Sequence, residues 1–517
     1  MPGSKTLLPS RNLIKSDLLI MKTTLAFIAA LLLTPLTTEA AQLQAGVAKV
    51  DITDRTVPVN DPLYAKALVL RDGDTTTVII TVDAVAIGQL GRIKNDFLPN
   101  VRAQLQKEFN IPPCNVLINA SHCHGIVCAD YEKRAVQAVR DACRNMVPVK
   151  VGAGRGQENR ISENRRLWLK DGSETDVRHA YSLAPDEEVV GIGPIDPEIG
   201  LLRLDKVNGQ PLAVVYNFAV HPIIGVPNHG NTADIIGFAS KAIEDALGNG
   251  ATALFLQGCA GDINPVQYKD VHNPRDAEPL GNLLGLSAVR ALRNIQTRDD
   301  GGLRVINELL ALPRATDMEK RIAAIQAEQT RLLQSLRGTS LNFKTFVPLF
   351  VQYSLATNFP SYSSHRYLLD QSLGRDDLAK LDAENRANME SYIRNIHTME
   401  KLTRLQANLN LLKMHKAQND AAGKPTLDVE VVGLRVGDFV LVTFPGELTV
   451  EIGLGIKKRA RAPFTFVAGY TNGYIYYAPT ARGRNNKGFA QEDCDCLLAP
   501  EWQKLFEDKV AAILKKL

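Results

Sequence analysis

Apolar positions along this chain fall into two alternating rhythms. Short apolar runs predict strands over Ala45–Ile52, Leu63–Leu70 and Thr77–Val82, because brief runs rich in β-branched residues suit buried, pleated backbone. From Gly91 to Phe109 the apolar residues recur at helical spacing, and Asn115–Asn119 is a short apolar strand running directly into Ser121-His122-Cys123-His124. A helix over Asp130–Met146 and a strand over Val147–Val151 follow, then strands over Leu201–Leu204 and Ala213–Ala219. Thr232–Leu247 reads as a helix, Ala253–Leu256 as a buried strand and Pro279–Ile295 as a helix. Strands alternating with helices predict an α/β fold, with a mixed sheet core flanked by helices.

The texture changes near Thr316. From there to about Gln418 the chain is charged and amphipathic, as in Met318–Leu336 and Asp376–Lys416, with an aromatic, irregular middle over Phe343–Tyr367. This predicts a helical insertion, at about 316–418, packed against the core. Alternation resumes with strands over Leu427–Leu434, Phe439–Thr443 and Thr465–Ala468, a helix over Thr449–Arg459 and a closing helix over Glu501–Leu514 behind Pro500. There is no internal repeat and no low-complexity linker.

The N-terminus departs from this pattern. Met21-Lys22 is basic, Thr23–Leu36 is mostly apolar, and Thr38-Glu39-Ala40-Ala41 offers the small residues of a cleavage site. That layout predicts a secretory signal peptide within 1–41, with translation starting at Met21 and a periplasmic or secreted mature chain beginning near Ala41 or Gln42. The run is too short for an ordinary spanning helix, and no other segment approaches one.

Composition narrows the partners. The 517 residues include 60 basic and 56 acidic side chains, a net charge of +4, which predicts neither a nucleic-acid partner nor attraction to a charged membrane surface. Export permits disulfides among the seven cysteines, although their spacing matches no cysteine-only zinc motif.

The candidate chemistry sits at strand ends, where loops converge. His122 and His124 follow one apolar strand; two residues apart, they point the same way if the backbone is extended. His221 follows another strand and precedes Pro222, which favours an extended conformation. Glu447, in Thr443-Phe444-Pro445-Gly446-Glu447, lies between a strand and a helix. Each has a plainer explanation: a hydrogen-bonded structural histidine, or a carboxylate at a helix N-terminus. Three of only nine histidines at strand ends shift the balance toward a metal, and imidazole with carboxylate suits zinc.

Several segments together resemble the catalytic domain of neutral (non-lysosomal) ceramidases and similar bacterial proteins. They are Gly46-Val47-Ala48-Lys49-Val50-Asp51-Ile52-Thr53, Asn119-Ala120-Ser121-His122-Cys123-His124, Asn164-Arg165-Arg166 and Gly193-Pro194-Ile195-Asp196-Pro197. Further along come Asn217-Phe218-Ala219-Val220-His221-Pro222, Gly258-Cys259-Ala260-Gly261-Asp262-Ile263-Asn264-Pro265, Phe444-Pro445-Gly446-Glu447 and Gly473-Tyr474-Ile475-Tyr476-Tyr477. The resemblance runs from Gly46 to about Asp493 and implies one catalytic domain over 42–517 that contains the helical insertion. It also implies Zn2+ held by His122, His221, Glu447 and a tyrosine: Tyr477 by alignment, with Tyr474 the second choice. His124 falls beside the metal, and Arg165 falls where the family keeps an arginine facing substrate.

The chain departs from the family at four places, one being the short loop after His124, which lacks the family's serine-glycine-proline. Asn264 stands where the ceramidases carry a serine, Phe489 where they carry a tyrosine, and the chain ends without the family's immunoglobulin-like domain. An amide is no nucleophile, but it donates hydrogen bonds to an oxyanion. The expectation is therefore hydrolysis of an amide or ester bond in a small-molecule or lipid substrate by zinc-activated water. His124 would move a proton, and Arg165 and Asn264 would stabilise developing charge. The rival expectation is a zinc-fold module that binds a lipid or cell-wall ligand without turnover.

Overall fold

The computed structural model describes residues 3–4, 42–177, 183–266, 268, 275–299, 301–355 and 364–517. The expected leader, 1–41, lies outside them except for residues 3 and 4. Eight strands form the first sheet: β1 (Gln44–Asp51), β2 (Tyr64–Asp72), β3 (Thr75–Val82), β4 (Val116–Ala120), β5 (Val147–Gln157), β6 (Glu198–Lys206), β7 (Pro211–Phe218) and β8 (Thr252–Gln257). Their order is β8-β7-β6-β5-β1-β2-β3-β4. The pairs β3–β4 and β7–β8 are parallel and the others antiparallel. A second sheet has the order β9 (Leu303–Pro313), β10 (Thr426–Val436), β11 (Phe439–Thr443), β12 (Phe464–Ala468), with β11 and β12 parallel.

The helices are α1 (Phe97–Phe109), α2 (Tyr131–Arg144), α3 (Asp234–Leu247), α4 (Ala277–Leu292), α5 (Met318–Ser335), α6 (Phe343–Leu355), α7 (Ser364–Ser372), α8 (Asp377–Ala422), α9 (Val450–Arg459) and α10 (Trp502–Lys516).

The near-continuous apolar strands follow from burial on both sides. Successive side chains point to opposite faces. Leu68 and Leu70 of β2 therefore pack between the two sheets with Leu434, Phe439 and Phe466. Val69 packs outward with Val101 and Leu105 of α1 and Val136 of α2. At the other end of the first sheet, Val214 and Tyr216 pack against Ile236 of α3 and Leu284 of α4. The outer face of the second sheet, Val431, Val442 and Val467, is covered by Ile452 of α9 and by Trp502 and Phe506 of α10. The result is four layers: helices, sheet, sheet, helices.

Within the insertion, Ile325 and Leu332 of α5 pack against Leu405, Leu409 and Leu412 of α8. Among the described residues no helix is long and apolar enough to cross a membrane.

The structure corrects one expectation and supplies two features that the sequence left open. The helix expected from Gly91 begins at Phe97, because Gly91 sits at φ 77°, outside helical space. Strand β9 was not anticipated: it is an edge strand, and its half-exposed pattern carries Arg304, Asn307 and Glu308 among the apolar residues. No disulfide forms, since all seven cysteines are free thiols, four of them buried; burial pushes the Cys494 thiol up to about 12.

Candidate metal centre

Four parallel-paired strands end at one place: β4 before His122, β7 before His221, β11 before Glu447 and β12 before Tyr470. Asn119 at the end of β4 joins them. Its Nδ2 donates to the Gly469 carbonyl at 2.8 Å and to Thr471 Oγ1 at 2.9 Å, and its Oδ1 accepts from the Gln257 amide of β8 at 3.0 Å. Gln257 in turn donates from Nε2 to the carbonyls of Ser121, at 3.0 Å, and Val220, at 2.8 Å. Those carbonyls belong to the residues immediately before the two histidines, so one buried amide sets the positions of both.

Each histidine ring is oriented by a backbone carbonyl. His122 Nδ1 lies 2.6 Å from the Val85 oxygen and His221 Nδ1 lies 2.9 Å from the Ile263 oxygen. A carbonyl only accepts, so each Nδ1 carries the proton and each Nε2 presents a lone pair. Both Nε2 atoms face Glu447: His122 Nε2 is 3.6 Å from Oε1 and His221 Nε2 is 3.2 Å from Oε2. His221 Nε2 is buried and makes no hydrogen bond. Ligand atoms of His122, His221 and Glu447 lie within 4.8 Å of one another. Two imidazole nitrogens and a carboxylate, with the far nitrogens tied to carbonyls, fit a divalent cation such as zinc.

Glu447 also accepts from two phenols, Tyr474 at 2.5 Å on Oε1 and Tyr470 at 3.1 Å on Oε2. Burial opposes its charge, but His122, His221 and the Tyr474 hydroxyl outweigh this and hold the carboxyl well below the usual range. Burial and the nearby Glu447 charge raise both phenols well above theirs, so they remain donors. Burial, with the Arg165 charge, pushes His221 down to about 3, against the pull of Glu447. Glu447 does not cap α9. Asp262 does that instead, accepting from the Val450 amide at 2.7 Å.

The glycine-rich loop after β8 passes close to this strand end. A Cβ on Gly261 would lie 2.6 Å from the Glu447 carbonyl oxygen and 2.9 Å from that of Leu448, so only glycine lets the loop approach. Asn264 is buried, and its Oδ1 accepts from Arg165 Nη1 at 3.1 Å. The buried Arg165 also donates to Glu492 at 2.7 Å, to the Gly261 carbonyl at 2.6 Å and to the Tyr477 hydroxyl at 3.1 Å.

His122 and His124 do not point the same way. His122 has φ 69°, a left-handed conformation that breaks the extended alternation. His122 is therefore buried and His124 exposed, their rings perpendicular at 5.8 Å. Tyr477 is buried and pairs with Glu447 in a short parallel ladder. Tyr476, at φ 63°, turns toward the insertion: Gln418 of α8 donates to its hydroxyl at 3.0 Å, and His415 packs edge-on at 4.6 Å.

Tyr470 was not singled out in the sequence. Its ring lies 4.4 Å from that of His122. A tyrosine two residues past an apolar strand was its only signal.

The architecture is thus a pair of packed sheets with a possible three-residue metal site at their shared strand ends. Among known protein families, no family model matches the chain. In sequence it is 26% identical over 267 residues to neutral ceramidase B of Dictyostelium discoideum, a match covering 43% of this chain. That match spans 35% of the relative, about a third of its length. In structure it resembles neutral ceramidase from Pseudomonas aeruginosa, with a TM-score of 0.57 and 17% identity, covering 93% of this chain and 75% of that one. A ceramidase structure complexed with C2 matches with a TM-score of 0.55 at 17% identity, covering 92% and 76% respectively. The chain is thus similar to neutral ceramidases in fold over most of its length and in sequence over part of it.

Proposed function

We propose that the protein is a zinc-dependent hydrolase of the ceramidase type, cleaving an amide bond, or an ester, in a lipid or other small molecule. The observation that carries this reading is the convergence of two Nε2 lone pairs on one buried carboxylate, each imidazole fixed from behind by a carbonyl. His122, His221 and Glu447 would hold the ion, with Tyr477 as fourth ligand. Tyr477 lies in the ladder beside Glu447, and Arg165 donates to its oxygen. The ion would supply Lewis acidity and a water of lowered pKa.

The chain's own groups have separate tasks. Tyr470 and Tyr474 hold Glu447 by its two oxygens and fix the carboxylate plane. Arg165 engages the carboxamide oxygen of Asn264, which leaves the NH2 as the end that donates to an oxyanion. Asn264 offers no hydroxyl to acylate, so the reading has water rather than a side chain as nucleophile. His124, exposed one ring away from His122, carries a proton between site and solvent. The leader read over 1–41 would make this an exported enzyme, with 42–517 as its catalytic domain.

The test is metal content of the purified protein and of a His221→Ala variant, alongside a panel of amide and ester substrates that includes N-acyl sphingosines. One zinc per chain, lost in the variant together with hydrolysis, is expected. No zinc in the wild type overturns the reading. Zinc without turnover on the panel would instead leave a module that binds a lipid or cell-wall ligand.

A further inference from the structure

One side of the long helix α8 buries polar groups, which is costly unless each of them is paired. Arg404, Asn408, His415 and Asn419 stand four, seven and four residues apart, a spacing that aligns them on one face. Arg404, Asn408 and His415 are buried, beside the apolar contacts of Leu405, Leu409 and Leu412. All four reach residues outside the insertion's helices. Arg404 lies 3.5 Å from Asp176, Asn408 donates to the Phe489 carbonyl, His415 Nε2 meets Asp495 Oδ1 at 2.7 Å, and Asn419 donates to the Leu497 carbonyl at 3.2 Å. From α5, Arg321 donates to the carbonyls of Arg484, at 2.6 Å, and Asp493, at 3.2 Å. Most of these bonds converge on one stretch of chain, 484–497.

That stretch meets the candidate site at two points. Glu492 accepts from Arg165 at 2.7 Å, and the Asp495 carbonyl accepts from the Tyr477 amide at 3.0 Å. Arg165 in turn donates to the Tyr477 hydroxyl and to Asn264. Tyr477 is thus held directly at its backbone and, through Arg165, at its hydroxyl. Three buried carboxylates crowd the same stretch, Glu492, Asp493 and Asp495, and they repel one another unless each has its own partner. Glu492 has Arg165, Asp493 has Arg166 and Asp495 has His415. Of these three partners, His415 alone belongs to the insertion. A buried pair of this kind stabilises little more than apolar residues of similar size would. What it adds is a fixed distance and direction, here on the segment that holds two groups of the site.

We propose that His415 and Asn408 of α8 are positioning residues, which fix the segment Phe489–Asp495 and through it place Tyr477 and Arg165. The insertion is then a brace behind the metal centre. The proposal rests on the function above in taking Tyr477 and Arg165 as site residues. The test is hydrogen–deuterium exchange of the metal-free full chain, followed at the Tyr477 amide, together with zinc affinity from competition with a chelator. His415→Leu, His415→Gln and Asn408→Leu are compared with the wild type and with Met389→Ala. The last loosens α8 where it packs against Phe346 of α6, well along the helix from His415.

Exchange at Tyr477 should be roughly tenfold faster or more in His415→Leu and Asn408→Leu, with zinc held roughly tenfold more weakly. His415→Gln keeps an N–H donor for Asp495 and should restore most of both. Met389→Ala should lower the urea midpoint while exchange at Tyr477 and zinc affinity stay as in the wild type. Should His415→Leu fail to fold, Asn408→Leu decides. Unchanged exchange at Tyr477 in the folded variants overturns the proposal. So does equal loosening in Met389→Ala, which would reflect only a general loss of stability. Wild type without zinc would sink the function above and leave the exchange comparison to decide the brace, so the two failures are told apart.

Discussion

Arg165 Nη2 and the Tyr477 hydroxyl are 3.1 Å apart, both side chains fully enclosed. A guanidinium held there donates to the phenol oxygen and fixes its position. Tyr477→Phe keeps the ring and removes the oxygen. It should lower zinc affinity by roughly 10–100-fold with stability changed by about 1 kcal/mol, measured by competition with a chelator and by urea unfolding. Unchanged affinity would exclude Tyr477 as ligand and turn attention to Tyr474. Arg165→Met should cost more in stability, on the order of 3 kcal/mol, because it takes from the buried Glu492 the nearer of its two guanidiniums, Arg166 lying at 3.7 Å; adding Glu492→Gln should recover part of that loss.

The metal-free protein should be acid-labile. His221 is pushed down to about 3 from an ordinary 6.5, so between those values the unfolded chain binds the proton and the folded chain does not. Stability is then complete above about pH 6.5 and declines as pH falls toward 3. Urea midpoints of chelator-treated protein from pH 7 to pH 4 should fall steadily, with a shallower slope in His221→Gln. A flat profile would contradict the burial of a neutral imidazole.

Gln257 touches no candidate ligand atom, yet it spans the carbonyls before both histidines. Gln257→Leu leaves two buried carbonyls without their donor, a cost of about 1–3 kcal/mol each. It should also weaken zinc binding by roughly tenfold or more, since the two rings lose their common reference. Calorimetric zinc titration is the decisive readout: stability lost at unchanged affinity would make Gln257 a packing residue only.

Gly46 of β1 lies against α2, where a Cβ would sit 2.0 Å from the Ala142 carbonyl oxygen. Backbone cannot yield as a flexible side chain can. Gly46→Ala should therefore destabilise by on the order of 3 kcal/mol or more, read as a lowered urea midpoint, with the zinc stoichiometry of the remaining folded protein intact. A neutral substitution would mean that β1 and α2 are less tightly joined than this contact requires.

Much of the fold was legible because the strands are buried on both faces and their apolar runs stop at polar residues. That is how His122, His221 and Glu447 stood out. What the sequence hid was long-range or conformational. The left-handed backbone at His122, which separates it from His124, leaves no trace in local composition. Arg165 meets Glu492 and His415 meets Asp495 across spans that no periodicity records. Strand β9 escaped because an edge strand satisfies only half of the apolar pattern. Tyr470 lay outside the glycine-tyrosine segment that drew the eye to Tyr474 and Tyr477.

Helix α8 is a single uninterrupted rod of 46 residues, close to 70 Å at 1.5 Å per residue. One end carries Met389 beneath α6, and the other carries His415 against Tyr476. Such a rod is geared as well as long. Each residue added between those points advances the far end by about 1.5 Å and turns it by about 100°. A single-residue insertion would swing α6 to another side of the molecule, whereas seven residues would return it to within about 20° of its original bearing. The length of this chain between residues 389 and 415 can therefore change only in near-whole turns without moving the face that the insertion presents.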